Sequence, residues 1–162
     1  MIDELTPIAQ YMTHEMNSNA HSRYVMRMNE LNDSSAEKCV NEYIRQPLWR
    51  RLFGATSPEA CMQIEISSRQ AALLMWTGKV MQNSEWDHKP KIKARFISVI
   101  SGSGAWHAYK DCLYFYDIWS NIHYGYVGSA AGFSKSALLD GLGWNKLLAI
   151  CCVHIFPEKD QE

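Results

Sequence analysis

The densest group of side chains capable of acid–base chemistry lies in one short run, Tyr114–Gly128. It contains a carboxylate at Asp117, an amide at Asn121 and an imidazole at His123, set among tyrosines and a tryptophan. If Asp117 caps a helix, Asn121 shares its face, whereas His123 lies about 120° away because a helix has about 3.6 residues per turn. One helix alone therefore cannot join Asp117 to His123, and a second segment must complete any site.

Two interpretations fit this run. In the functional one, polar groups crowded among aromatics and beside glycines form the floor of a pocket, with His123 and Asp117 as catalytic residues. The substrate-binding residues would then be Trp119, Asn121 and Tyr124. In the structural one, Asp117 is only an N-cap, and Asn121 and His123 are buried groups satisfied by hydrogen bonds. Both interpretations stay open.

A second segment with acid–base groups is Trp86–Lys91, which holds Asp87, His88 and Lys89. Asp87 could act in catalysis by proton transfer, and the Lys89 ammonium could bind an oxyanion or a phosphate of the substrate. The alternative is an Asp87 helix cap followed by solvated lysines. We expect His88 to be exposed. The functional hypothesis brings Asp87 and Lys89 into one pocket with the groups of the first run.

The sequence shows no metal-ligand spacing. His14, Glu15 and His21 do not form the HExxH pattern, and the run at 101–104 lacks the features of a phosphate-binding loop. The five cysteines show no CxxC and no matching histidine pair. We therefore expect no metal ion and no cofactor, and we interpret the cysteines as buried or free thiols rather than as a disulfide framework.

The elements that must position these groups are predicted to be mainly helical. Four helices are expected in the first half, the first ending near residues 17–19, the third ending at Ile44 before Pro47, and the fourth, the longest and central one, running to about Met81. Their start signals are Thr6-Pro7, the N-cap Ser22, a capping box at Ser34 and Glu37, and Ser57-Pro58.

The second half of the chain is predicted to have shorter elements. Lys89–Phe96 fits a strand by its alternating basic residues and a helix by its apolar ones, and Pro90 near its start favours the helix. The aromatic stretch Trp106–Tyr116 predicts a short hairpin. The expected fold class is thus mainly α (α+β): one compact helical domain over residues 1–162 with a small β element.

Composition limits the classes of partner. The net charge is −1 and the sequence pI is about 6.6, so no global field draws the chain to nucleic acid, and any RNA site needs a local basic strip such as Lys89–Arg95. The N-terminus lacks the basic start and apolar run of a signal peptide. We expect a chain made in the cytoplasm, without a signal peptide of its own and without stable membrane insertion.

Several of these motifs resemble one known family. The resemblance is to the bacterial polymorphic toxin type 44 domain, and it extends from Ile8 to Gly143. Position by position, it marks the catalytic or binding candidates Asp87, Lys89, Asp117, Asn121 and His123. The chain departs from the family pattern after Gly141. The similar segments are Tyr116–Gly128, Ala130–Ser134 and Leu138–Gly141, with Trp86–Pro90 and Glu15–Ser22 as upstream motifs.

The resemblance implies an antibacterial effector of interbacterial competition. Such a toxin is secreted into a target bacterial cell by a secretion-system carrier and is neutralised by a cognate immunity protein. The family is assigned as a predicted ribonuclease, which makes a hydrolase with RNA as substrate the first hypothesis. In that hypothesis Lys89 stabilises the phosphorane charge, and Trp119 and Tyr124 stack on bases.

An envelope enzyme is the alternative. It would hydrolyse peptidoglycan or its lipid-linked pyrophosphate precursor in the periplasm, and the near-neutral charge suits such a substrate as well as RNA. The spacing of Tyr116-Asp117 and His123 is also similar to part of the motif of colicin M-like precursor hydrolases. A pore or an adaptor has little support without a long amphipathic or apolar helix.

Overall fold

The computed structural model describes residues 5–54, 56–97, 106–109 and 112–142. Within them the chain forms eight α-helices and one antiparallel pair of strands, which confirms the mainly α prediction with a small β element. A π-helical turn, Lys93–Ile97, continues the sixth helix. The helices are α1 (Leu5–Ala20), α2 (Arg23–Asn32), α3 (Ala36–Arg45), α4 (Leu48–Phe53), α5 (Pro58–Val80), α6 (His88–Ile92), α7 (Ile118–Ala130) and α8 (Lys135–Leu142), and the strands are β1 (Trp106–Tyr109) and β2 (Cys112–Phe115).

Two of the predicted helix starts are confirmed by side-chain caps. The Ser22 hydroxyl accepts a hydrogen bond from the Val25 N–H, and the Ser57 hydroxyl accepts one from the Ala60 N–H. These bonds satisfy N–H groups that have no partner inside the helix. The predicted hairpin is also confirmed, with Trp106 opposite Phe115 in the register. The run at 101–104 lies outside the described residues.

Two local predictions were wrong, and one helix was not predicted. The cap of α3 is Ser35, not Ser34, because the Ser34 hydroxyl still bonds back to the Glu30 carbonyl of α2. Thr6 is not an N-cap, since α1 already includes Leu5. Pro47 does more than end a helix: it is the N-cap residue of α4, a short helix that the sequence did not predict.

The cysteine prediction was also wrong for one pair. Cys39 on α3 and Cys61 on α5 form a disulfide, with their Cα atoms 5.7 Å apart. The two residues belong to different helices that pack on each other, so no local cysteine motif predicts the disulfide. Their separation of 22 residues joins the two helices covalently.

Two groups of buried apolar side chains form the core. The larger one joins α2, α5, α7 and α8 with the turn after α5, and the smaller one joins α1 to α6. Both α1 and α2 pack on α7, and α2 also packs on α5. The larger group is Val25, Met28, Ala72, Trp76, Trp86, Val127, Ala131 and Leu138, and the smaller is Ile8, Met12 and Ile92.

The end of α7 is fixed by α2. Its last carbonyl groups have no partner inside the helix. The side-chain amide of Asn29 donates to the Ala130 carbonyl, and that of Asn32 donates to the Ala131 carbonyl. Gly132 then reverses the chain with a φ of 82°, a conformation that glycine adopts without a Cβ clash. These bonds set where α7 lies on the protein, and α7 carries most of the candidate residues.

Candidate functional site

A cavity of about 470 Å³ opens where the turn after α5, helix α6 and helix α7 meet. Its wall includes Asp87, Lys89, Asn121, His123 and Tyr124. The two segments singled out from the sequence therefore face one cavity, as the functional hypothesis required. The catalytic and binding roles given to these residues stay predictions.

The link between the two segments is an ion pair. The Lys89 ammonium lies 2.6 Å from Oδ1 of Asp117 and 2.7 Å from Oδ2. Asp117 stands at the N-cap position of α7, but its side chain makes no capping hydrogen bond. The structural interpretation of Asp117 as a cap is thus wrong, because its carboxylate instead neutralises a cation 28 residues away in sequence.

Asp87 has the capping role that was weighed against a functional one. One of its carboxylate oxygens accepts from the Lys89 N–H at 3.3 Å, and the other accepts from the Asn83 N–H at 2.9 Å. The first bond begins α6 and the second holds the preceding turn. Asp87 also lines the cavity, and these two bonds fix the position of its carboxylate.

His123 is almost fully buried, with 1% of its surface exposed, although it lines the cavity. Its Nε2 lies 3.0 Å from the side-chain nitrogen of Asn19, on α1. Its ring lies 4.2 Å from that of His88, centre to centre. Burial, with His88 and Lys91 nearby, lowers the pKa of His123 to about 3. The imidazole is therefore neutral at neutral pH.

The prediction that His88 is exposed was wrong. Its exposed fraction is 0%, because His88 and Ile92 lie one turn apart on the inner face of α6. Burial, with Lys91 nearby, lowers the pKa of His88 to about 4. The Glu15 carboxylate lies 3.9 Å from its Nδ1. His88 and His123, called the histidine pair below, form one buried contact, so a His88 variant cannot serve as a surface control.

The predicted binding residues separate into two groups. Asn121 and Tyr124 line the cavity, and the Asn121 side-chain nitrogen has no hydrogen-bond partner within the described part of the chain. Trp119 does not reach the cavity wall: it packs against the smaller core group. The aromatic surfaces that the cavity does offer belong to Trp86, Tyr116 and Tyr124.

The basic strip reaches the cavity in part. Lys89 and Lys93 contribute to its wall, while Arg95 turns the other way and lies over the Tyr11 ring at 5.0 Å. The Lys91 ammonium donates to the Glu85 carbonyl. Two lysines therefore line the cavity, one of them paired with Asp117, in a protein whose net charge is −1.

The sequence placed Glu15 and Asn19 in an upstream motif that resembles the family, but it did not predict them as neighbours of the site. Both continue the buried stripe that Ile8 and Met12 begin on α1, at spacings of 3 and 4 residues. A polar residue on such a stripe faces the interior and needs a polar partner there. The sequence shows these polar residues on the buried stripe, but it does not predict that the histidine pair is their partner.

In the described ranges, no group of three or more His, Cys, Asp or Glu side chains could hold a metal ion. None of the described helices is both long enough and apolar enough to cross a membrane.

The family model for bacterial toxin 44 matches residues 75–160, just over half of the chain. The matched segment contains α6, the hairpin and α7, and with them most of the cavity wall. A bacterial toxin domain is therefore the class that the sequence defines. This chain belongs to the bacterial toxin 44 family. Neither the curated proteins nor the solved structures contain a match to it.

Family membership gives the general biology. The protein is an antibacterial toxin effector, of a class that is secreted toward target cells and that has an immunity protein as partner.

Proposed function

We propose that the protein is a ribonuclease toxin that cleaves RNA at the cavity containing His123. The observation that carries the proposal is the set of groups meeting there: a neutral buried imidazole, the Asp87 carboxylate, and the ammonium groups of Lys89 and Lys93. Phosphodiester cleavage needs proton transfer and a cation for the developing phosphorane charge. The cavity offers both.

Unpartnered donors in the cavity wall support a phosphate ligand. The Asn121 side-chain nitrogen and the Ser120 hydroxyl are buried and have no hydrogen-bond partner among the described residues. Buried polar groups in proteins are nearly always paired, so donors left open beside a cavity fit an acceptor brought by a ligand. Phosphate oxygens are acceptors. The Trp86, Tyr116 and Tyr124 rings offer surfaces on which bases can stack.

The reaction that fits this site is transfer within the RNA strand. The ribose 2′ oxygen forms a bond to phosphorus while its proton passes to a protein base. The bond from phosphorus to the 5′ oxygen breaks, and that oxygen takes up a proton. Lys89 stabilises the charge on the phosphoryl oxygens, and Asp117 keeps its ammonium in place.

Purified protein and single-stranded RNA test the proposal. We expect the parent protein to produce fragments that end in 2′,3′-cyclic phosphates. His123→Ala should lower the rate at least about 100-fold, the loss typical when an acid–base or oxyanion group is removed. The matched control is His14→Ala, the same change at an exposed histidine of α1. RNA left intact by folded parent protein, at amounts that kill cells, would overturn the proposal.

An envelope hydrolase is the second candidate, and the disulfide favours it. Disulfides persist in oxidising compartments such as the periplasm and are rare in the cytoplasm. Expression with and without an added periplasmic signal peptide separates the two functions. A ribonuclease stops growth from the cytoplasm, whereas an enzyme acting on peptidoglycan or its lipid-linked pyrophosphate precursor stops growth only after export.

For the partner, we propose that the cognate immunity protein covers the cavity, since blocking the site is the most direct neutralisation. Hydrogen exchange of the complex should then show protection at α6 and the first turns of α7. Neutralisation with these segments as exposed as in the free toxin would exclude this mode of inhibition.

A further inference from the structure

The orientation of one amide determines which nitrogen of His123 carries the proton. The Asn19 side-chain nitrogen lies 3.0 Å from His123 Nε2. An amide nitrogen donates hydrogen bonds and cannot accept them, so Nε2 must supply its lone pair. In a neutral imidazole the proton then sits on Nδ1. Nδ1 is also the ring nitrogen left for a ligand in the cavity that His123 lines.

The surroundings keep this imidazole neutral. His123 is 1% exposed and lies against the fully buried His88, and Lys91 is the charged group that acts on both rings. The carboxylates in this network, Glu15 and Asp87, act on His88 rather than on His123. A second proton on His123 would create a buried cation with no anion in contact, which is strongly unfavourable.

We propose that Asn19 is a positioning residue that holds His123 as the neutral Nδ1–H tautomer, so that His123 meets the substrate as a hydrogen-bond donor and not as a base. This inference rests on the proposed function, because it assigns the role of His123 in that reaction. Nε2 is occupied by Asn19 and Nδ1 already carries a proton, so neither nitrogen can accept one from a substrate hydroxyl.

This tautomer determines which group in the cavity transfers protons and which group stabilises the developing charge. The proton of the attacking hydroxyl passes to the Asp87 carboxylate, which also lines the cavity, and the departing oxygen takes that proton back. The His123 Nδ1–H donates to a phosphoryl oxygen as charge develops on it. A neutral histidine with a lowered pKa is suited to this role, because it donates without adding a charge to the ground state.

Nitrogen NMR of the histidine ring tests the tautomer without any activity assay. At pH 7 we expect His123 Nδ1 to show the shift of a protonated nitrogen and Nε2 that of an unprotonated one. Asn19→Asp should reverse this pattern, since a carboxylate only accepts and would require Nε2–H, and it should raise the His123 pKa. A parent protein with the proton on Nε2 would overturn the proposal even if it cleaves RNA.

Substitutions at His123 test the donor role. In His123→Asn the side-chain N–H stands close to the position of Nδ1, whereas His123→Ala offers no donor. We expect the asparagine variant to cleave RNA at least about 10-fold faster than the alanine variant, a part of the 100-fold or greater effect of an oxyanion donor. Equal rates in the two folded variants would show that His123 acts otherwise. A parent that cleaves no RNA refutes the proposed function, while the NMR measurement still decides the tautomer.

Discussion

The ion pair between Lys89 and Asp117 makes a quantitative prediction about how the two motifs are joined. A double-mutant cycle with Lys89→Met, Asp117→Asn and both changes together measures the coupling free energy of the pair. Two unit charges about 4 Å apart attract by about 4 kcal/mol at an effective dielectric constant of about 20. The atoms here are closer, at 2.6 Å, but desolvation and screening offset much of the attraction.

The solvent exposure of the two side chains determines the coupling free energy that we expect. The side chains of Lys89 and Asp117 are 34% and 18% exposed, so the pair is only partly screened by water. We expect a coupling of about 1–2 kcal/mol, between the values typical of exposed and of buried pairs. The matched control is the pair Lys38 and Asp33, at 2.8 Å with side chains 67% and 74% exposed. Its coupling should be at most about 0.5 kcal/mol.

Urea unfolding at pH 7 gives the free energies for both cycles, and equal m-values show that the unfolded states are comparable. High salt should reduce the coupling of the exposed pair more than that of the cavity pair. If the Lys89–Asp117 coupling is no larger than that of the exposed pair, the ion pair does not hold the two motifs together.

Three further predictions concern stability. Replacing Cys39 and Cys61 by Ser should lower the free energy of unfolding by about 3 kcal/mol, the amount expected for a loop of about 20 residues, and urea unfolding with and without reductant checks this. Gly128→Ala should destabilise the fold by about 1–3 kcal/mol in thermal unfolding, because the new Cβ would meet a Leu138 methyl group and lie 3.2 Å from Trp76 Cη2. The matched control is Gly125→Ala on the same helix, whose new Cβ meets nothing within 4 Å, so this change should be neutral or stabilising. Burial lowers the pKa of His88 to about 4 and that of His123 to about 3, so below about pH 6.5 the unfolded chain binds more protons than the folded one. Urea unfolding should therefore show the free energy of unfolding decreasing as the pH is lowered, by up to about 1.4 kcal/mol per pH unit for each imidazole. If stability is unchanged between pH 7 and pH 5, the pair is not buried as described.

The fold class was predictable because local signals decide it. Ser22 and Ser57 cap their helices as predicted, because their hydroxyls can accept a hydrogen bond from a free N–H of the first helical turn. The disulfide was not predictable, because it depends on how α3 packs on α5. Cysteines on different helices carry no information about their distance in space.

The sequence predicted which residues form the site better than it predicted the contacts between them. Asp117 and Lys89 stand in motifs that sequence reasoning paired, and the structure joins them. His88 was predicted on the wrong side of α6, because its charged neighbours in the sequence suggested a solvated turn. Which face of a five-residue helix is buried depends on what packs against it, here α1 and α7. Asn19 was missed for the same reason, since its partner His123 is 104 residues away.

Killing by folded variants shows whether the cavity at His123 carries the toxicity of this protein. Parent, His123→Ala and His14→Ala are expressed in the compartment where the parent kills, and thermal unfolding confirms that each is folded. We predict that His123→Ala stops killing while remaining folded, with its free energy of unfolding lowered by about 2–4 kcal/mol because a fully buried side chain is removed, and that His14→Ala kills as the parent does. A His123→Ala protein that is folded and still kills would show that the toxicity does not depend on this cavity.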